Sequence, residues 1–367
     1  MEQYTEYELG AICSRLSSGK GISARNITDE GEYPVYGGNG LRGYTGTCNF
    51  DGDCAIIGRQ GAFCGNVRYF NGQAYMTEHA VVCCANEEHN TRYLAYLLST
   101  MNLGRLSGQS AQPGLSVKTL SKQIVRMPSL EQQKKVVSVL SALDAKIASN
   151  EKINDNLQQQ LHLLFIQIFN GISEDVVLGD VVETTSGGTP SRKHTEYYEN
   201  SSICWVKSKE LLGNYILDTE EHINDMALSK SSAKLLPMHS VLIAMYGATV
   251  GAYGIISKSM TCNQAVCALL CNEKYPYTYL FQIAQEQQQK LINMAVGSAQ
   301  QNISQVLIKQ LPLHSDIAAI RKFHNLALPL HKQIEKLQAE NRTLSEMRDT
   351  LLPQLMSSKL DVSDIDL

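Results

Sequence analysis

From Val136 the apolar positions of this chain advance in steps of four and three: Val136, Leu140, Leu143 and Ile147, then Leu157, Leu161, Leu164 and Ile168. Asn150 and Asn154 fill the two missing places. The pattern is a heptad seam with two polar interruptions, and it predicts a long coiled-coil helix. A second seam runs through Ile320, Phe323, Ala327, Leu330, Ile334, Leu337, Asn341, Leu344, Leu351 and Leu355, with Arg348 standing in it. Pro128 and Pro312 precede the two patterns, where proline delimits a helix; Pro329 is placed to kink the second and Pro353 to lie near its end. Each helix should cover about 33 residues, roughly 50 Å at 1.5 Å per residue. Alone, such a helix would expose its apolar stripe. Its own repeat, packed antiparallel, is the cheapest partner; a homodimeric coiled coil is the alternative. The spacer should be carried by Leu143, Ile147, Asn150, Asn154, Leu157, Ile334, Leu337, Asn341 and Leu344, with the asparagines costing stability but fixing register.

Outside the helices, short apolar runs alternate with glycine-rich turns. Residues 54–58 and 240–244 read as buried strands, each followed by a Gly-x-x-x-Gly turn (Gly61 to Gly65, Gly247 to Gly251). Residues 80–84 and 265–270 read as a second strand in each copy, and 91–101 and 277–294 as helical. The fold class is therefore α+β: two mixed α/β heads separated by two long antiparallel coiled-coil helices.

The two heads are copies of one another. Ala111-Gln112-Pro113-Gly114-Leu115-Ser116 resembles Ala299-Gln300-Gln301-Asn302-Ile303-Ser304, at an offset of 299 − 111 = 188. Lys134-Lys135 with Arg321-Lys322, Ile147 with Ile334, Asn154 with Asn341 and Leu157 with Leu344 all hold an offset of 187. Ile57 to Gly65 matches Ile243 to Gly251 at 186, and Glu78 to Val81 matches Asn263 to Val266 at 185. Leu9-Gly10 matches Leu178-Gly179 at only 169, so the second head carries an insertion near its start. The organisation expected is a first head at 1–128, a helix at 129–170, a second head at 171–315, a helix at 316–356 and a tail at 357–367.

Composition narrows the function classes. With 43% hydrophobic and 19% charged residues among 367, the chain is an ordinary globular protein with material for more than one core. No apolar run is long enough to span a bilayer and no basic-then-apolar leader opens the chain, so a cytoplasmic location and no membrane partner are expected. The ten cysteines contain no CxxC pair, which points to reduced, mostly buried thiols and to no metal site. Net charge is −4; residues 1–128 carry 11 basic and 11 acidic side chains, and residues 171–315 carry 10 and 13. A nucleic-acid surface would have to gather its cations on one face or share phosphate contacts with a partner.

Catalytic motifs are missing. Gly37-Gly38-Asn39-Gly40 and Ser186-Gly187-Gly188-Thr189-Pro190 are glycine-rich, but neither is GxxxxGK[ST]. There is no Ser-x-x-Lys, GxSxG or HExxH, and His79 is replaced by Gln264 in the other copy. No catalytic, cofactor-binding or metal residue is assigned. The heads instead offer loop side chains suited to phosphates and base edges, since Arg reads guanine, Gln or Asn reads adenine, and Lys, Ser and Thr hold phosphate. In the first head these are Lys20, Arg25, Asn39, Arg42, Tyr44, Arg59, Gln60, Gln109, Ser110 and Gln112. In the second they are Arg192, Lys193, Lys207, Lys209, Tyr246, Thr249, Gln264, Gln300, Gln301 and Asn302. The 109–112 and 300–302 segments form the strongest pair, because both precede the helices.

Three runs carry a resemblance: Leu143-Asp144-x-Lys146-Ile147-x-x-Asn150 with Leu164-Phe165; Pro329-Leu330 with Ile334 and Leu337, then Glu340-Asn341-x-x-Leu344-x-x-x-Arg348-Asp349-x-Leu351-Leu352-Pro353; and Ser110 to Ser116. Together they resemble the specificity subunit of a type I restriction-modification system. The resemblance implies that each head reads one half of a split double-stranded DNA target and that the chain itself is not an enzyme. It implies that the helices dock two adenine methyltransferase subunits, which a translocating nuclease subunit can join. The cofactors, S-adenosylmethionine and ATP with magnesium, would sit on those partners and none on this chain. The chain departs from the pattern in three places: the helix approach kept in Met127-Pro128-Ser129 is lost in Leu313-His314-Ser315, the first helix closes without its frequent Trp, and the tail reads Ser357-Ser358-Lys359. Two other readings are a coiled-coil scaffold whose heads bind protein or glycan, and a free-standing methyltransferase. The latter is opposed by the missing Asn-Pro-Pro-Tyr-type run.

Overall fold

The computed structural model describes residues 4–107, 114–295, 302–357 and 359–360. Two compact units form: one from residues 1–147 with 343–367, the other from 148–342. Each long helix contributes to both. These are α3 (Leu130–Phe169) and α9 (Ile317–Met356), each of 40 residues and so roughly 60 Å long. They exceed the expected 33 residues because the helical pattern continues past the seam at both ends, and α9 runs on through Pro329 and Pro353.

In the first unit the chain forms β1 (Thr5–Glu8), β2 (Cys13–Ser18), β3 (Tyr33–Gly37), β4 (Gly40–Thr45), β5 (Phe50–Gly58), β6 (Val67–Met76) and β7 (Ala80–Ala85). Helices α1 (Thr91–Thr100) and α2 (Val117–Ser121) and strand β8 (Ile124–Met127) follow. Six strands make one sheet in the order β2-β7-β5-β6-β3-β4, antiparallel except where β3 meets β6. β1 pairs β8 beside it. The run 54–58 is apolar throughout because both faces of β5 are covered. Ala55 and Ile57 join the core under α1, while Cys54 and Ile56 join a second cluster with Phe50 and Met76. Asn90 caps α1, its Oδ1 accepting from the Tyr93 amide at 2.9 Å.

The second unit repeats this plan with additions. Its elements are β9 (Glu174–Val177), α4 (Leu178–Val181), β10 (Glu183–Ser186), β11 (Ile203–Val206), β12 (Tyr215–Ile216), β13 (His222–Ile223), α5 (Asp225–Lys230), β14 (Val241–Ala244), β15 (Tyr253–Ile256), β16 (Thr261–Cys262) and β17 (Val266–Leu270). Then come α6 (Tyr277–Glu286), α7 (Gln288–Met294), α8 (Gln305–Lys309) and β18 (Pro312–His314). The main sheet runs β10-β17-β14-β15-β12, and β18 pairs β9. A second, smaller sheet, β13-β11-β16, stands beside it, with its own small core of Tyr197, Trp205, Ile223 and Ala227. Residues 277–294 form two helices rather than one, parted at Gln287.

The duplication is exact enough to compare register. Ala55 faces Cys83 in the first head and Val241 faces Leu269 in the second, each pair shifted by 186 residues. Both Gly-x-x-x-Gly turns carry left-handed backbone at both glycines: Gly61 at φ +75° and Gly65 at +85°, Gly247 at +73° and Gly251 at +79°. A Cβ at Gly65 would lie 2.1 Å from the Gly104 amide nitrogen, so the turn also needs glycine for its close approach.

The long helices meet antiparallel, the arrangement in which each seam finds its partner in its own repeat. In the second unit Phe165 packs edge-on against Phe323 at 5.5 Å between centroids, and Leu161, Ile320 and Ile334 share that core. Asn150 Nδ2 donates to Asn341 Oδ1 at 2.8 Å, one seam asparagine meeting the other. In the first unit Val136 and Leu140 of α3 share a core with Leu355 and Met356 of α9. Leu143, Ile147, Asn154, Leu157, Leu337 and Leu344 are all buried or half-buried. Among the described residues no helix is long and apolar enough to cross a membrane. All ten cysteines carry free thiols.

Candidate nucleic-acid interface

Each head seats its strongest candidate loop in the same way. In the first, Gly114 bridges Gln60 and the Leu115 amide donates to the Arg59 carbonyl at 2.8 Å. In the second, Asn302 bridges Tyr246 and the Ile303 amide donates to the Met245 carbonyl at 2.9 Å. Leu115 and Ile303, both about fully buried, anchor the chain there. The next residue caps a short helix in each copy: Ser116 Oγ accepts from the Thr119 amide and Ser304 Oγ from the Leu307 amide. Gln109, Ser110, Gln112, Gln300 and Gln301 lie outside the described residues.

Around the first seat the ends of β2, β3 and β5 meet the start of β7: Gly19 donates to the Ala80 carbonyl, and a Cβ on Gly38 would lie 3.4 Å from the Gly58 Cα. Lys20 follows β2, its amide donating to the Met76 carbonyl, and is exposed. Asn39 is exposed in the β3–β4 turn, beside Gly38, where a Cβ would come within 2.8 Å of the His79 carbonyl. Arg59 is half-buried, its amide donating to His79 and its Nη1 to Ser18 Oγ at 3.4 Å. Gln60 is exposed beside it. The structure thus brings Lys20, Asn39, Arg59 and Gln60 together. Arg42 and Tyr44 were expected on a loop but lie on β4, the sheet's edge strand, because Tyr44 pairs there with both Pro34 and Thr28; Arg25 stands in a 3-10 turn at residues 24–26. None of Lys20, Arg25, Arg42 and Arg59 forms an ion pair among the described residues.

The second head is electrostatically different. Arg192 and Lys207 both pair with Glu221, and Lys209 pairs with Glu220. The Arg192 guanidinium also lies 4.3 Å from the Tyr198 ring centroid and 5.4 Å from that of Trp205. The Lys207 ammonium beside Glu221 holds that carboxyl below its usual range. Three cations expected to meet phosphate are therefore balanced by carboxylates of the same head. Lys193 is exposed beside Arg192. Gln264 accepts from Thr189 near the loop seat, and Thr249 Oγ1 donates to the Tyr246 carbonyl at 3.1 Å. Tyr246, Gln264 and Asn302 are exposed. Charge balance was not legible from the chain, since Glu221 lies 29 residues from Arg192.

The junctions of the heads with the helices have also diverged. In the first unit Asp144 of α3 accepts from Tyr96 and Arg92 of α1 and from Arg348 of α9, the last two at 3.2 Å. This explains the arginine in the seam: it needs a carboxylate, and Asp144 supplies it. At the equivalent place in the second unit (331 − 144 = 187) stands His331, which is fully buried. Its Nδ1 contacts the Tyr215 hydroxyl at 3.1 Å, and Tyr277 and Phe281 face it edge-on. Burial pushes the imidazole down to about 3, helped by His239 and His324. An unfolded chain protonates this histidine near pH 6.5, whereas the folded one does not. Stability contributed here is full above about pH 6.5 and falls as pH drops toward 3, by about 1 kcal/mol per pH unit at most. His331→Leu should flatten the dependence of the urea midpoint on pH between 7 and 5; an unaltered slope would remove His331 from the account.

Comparison with known proteins fits this duplicated architecture. The family model for the type I restriction modification DNA specificity domain matches residues 1–159 and again 172–314. The chain belongs to this family. A relative is the type I restriction enzyme EcoprrI specificity subunit of Escherichia coli, 42% identical over 140 residues, which spans 37% of this chain and 35% of that subunit. Another is the MjaIX specificity subunit of Methanocaldococcus jannaschii, 25% identical over 75% of this chain and 70% of its own length. The type I restriction-modification S subunit from M. genitalium has the same fold, with a TM-score of 0.64 at 16% identity over 96% of each chain. The two matched stretches of this specificity chain each hold one loop seat, Gln60 with Gly114 and Tyr246 with Asn302.

Proposed function

We propose that this chain reads a two-part double-stranded DNA target, one part per head, and is the non-catalytic partner of adenine methyltransferase and nuclease subunits. The observation that carries the reading is the repeated loop seat: one backbone geometry, built twice in a DNA specificity chain, presenting different side chains in each copy. Identical seats with divergent residues suit two different half-sequences, because direct readout depends on which donors and acceptors reach the groove. Exposed apolar residues on the long helices, Leu163 and Ile166 of α3 and Leu326 of α9, suit docking of the catalytic subunits there. S-adenosylmethionine would then be held by the methyltransferase, and ATP with magnesium by the nuclease. The carboxylate-paired cations of the second head fit a complex in which partners share the phosphate contacts.

The test is a methylation map. The chain is co-expressed with its candidate methyltransferase in a host free of adenine methylation, and modified adenines are located by sequencing. A split motif with a fixed gap, absent when this chain is omitted, is the expected result. An active, soluble complex that modifies no such motif would refute the reading.

A further inference from the structure

We propose that Cys204, Asp218 and His222 form a binding site for a divalent cation of the zinc class beside the small β13-β11-β16 sheet of the second head. The three come from separate segments. Cys204 lies on β11 and His222 on β13, directly opposite one another in the antiparallel pair, and Asp218 lies in the approach to β13. Their ligand atoms all fall within 4.8 Å of one another, the one such three-residue grouping found among the described residues. Both neighbours converge on one carboxylate oxygen: Cys204 Sγ is 3.1 Å and His222 Nε2 2.9 Å from Asp218 Oδ1. Arg342 Nη2 donates to the other oxygen, Oδ2, at 2.6 Å and so aims Oδ1 at the pair.

Sulfur, imidazole nitrogen and carboxylate oxygen are the donor set that zinc takes, in a tetrahedral array whose donor–donor edges are about 3.3–3.6 Å. Reaching that spacing requires Sγ and Nε2 each to draw back from Oδ1 by a few tenths of an ångström. Asp218 also lines a groove with Leu217, Thr219 and Arg342, from which water can reach the ion and complete the shell. A thiolate and a carboxylate among the ligands offset the charge of the ion itself. Lys258, 3.9 Å from Asp218, and Arg342 remain as outer neighbours. Binding displaces the Cys204 thiol proton to solvent and moves the His222 ring proton to Nδ1, so one proton leaves per ion. The ion would join β11, β13 and the segment before it, bracing a sheet whose strands are only two to four residues long. Sequence alone gave no signal for it, because the spacings of 14 and 4 residues match no paired-cysteine pattern.

Cobalt(II) serves as the probe, titrated into the chelator-treated full chain. A sulfur-to-cobalt charge-transfer absorption saturating at one equivalent, and displaced by zinc, is expected. Cys204→Ser should abolish that band, while Cys48→Ser, at an exposed thiol far along the chain, should leave it. Asp218→Asn keeps the shape of the side chain and should lose the band if Cys204→Ser fails to fold. Arg342→Ala, acting through Asp218, should weaken cobalt binding about 10-fold. Absence of the band, or its persistence in both Cys204→Ser and Asp218→Asn, overturns the site. The readout needs no DNA, so its failure would leave the DNA reading untouched.

Discussion

Phe323→Ala is expected to destabilise the unit formed by residues 148–342 by about 3–5 kcal/mol, the range for deleting a fully buried aromatic side chain. Phe323 is fully buried, faces Phe165 at 5.5 Å and Phe169 at 6.0 Å, and shares its core with Leu161 and Ile320. Nothing small can close over the space, because both neighbouring rings are held on α3. The loss should appear as a lowered urea midpoint and faster amide exchange along α6 and α9. Leu326→Ala, on the same helix but about half exposed, should change stability by no more than about 0.5 kcal/mol. If the two variants behaved alike, the packing assigned to α3 and α9 would be wrong.

Gln60→Ala and Asn302→Ala should each damage recognition of one half of the target only. Each is exposed at a loop seat, Gln60 bridging Gly114 and Asn302 bridging Tyr246, so truncation leaves the backbone seat in place. Losing one paired contact to a base edge weakens discrimination by about 1–3 kcal/mol. Methylation rates measured on duplexes altered in one half-site or the other would show it. The variant should lose preference at its own half and keep it at the other. Equal loss at both halves would contradict heads that read independently.

Much of the fold was legible along the chain. The heptad seams placed α3 and α9, since burial on one helix face imposes its own period whatever the partner. The runs 54–58 and 240–244 announced strands covered on both faces, and the constant offset announced the copies. The seams alone gave about 33 residues for helices of 40, since a seam ends before its helix does when the last turns pack on other elements. Pro353 lies three residues from the end of α9, as its place in the pattern suggested, and the helix continues through Pro329.

The candidate interface divides differently. The sequence by itself determined that there are two heads, two seams and two matched loops before the short α2 and α8 helices, because each is a local pattern of side-chain type. Only the tertiary structure decided which charges are balanced. Lys20 and Arg59 form no ion pair among the described residues, whereas Arg192, Lys207 and Lys209 meet Glu220 and Glu221. Likewise Asp144 finds Arg348 across 204 residues, and Cys204 finds Asp218 and His222. Periodicity reports whether a residue faces in or out of its own element. The partner it meets there depends on which distant segments the fold brings within a few ångströms, and electrostatic energy falls off over that same short range.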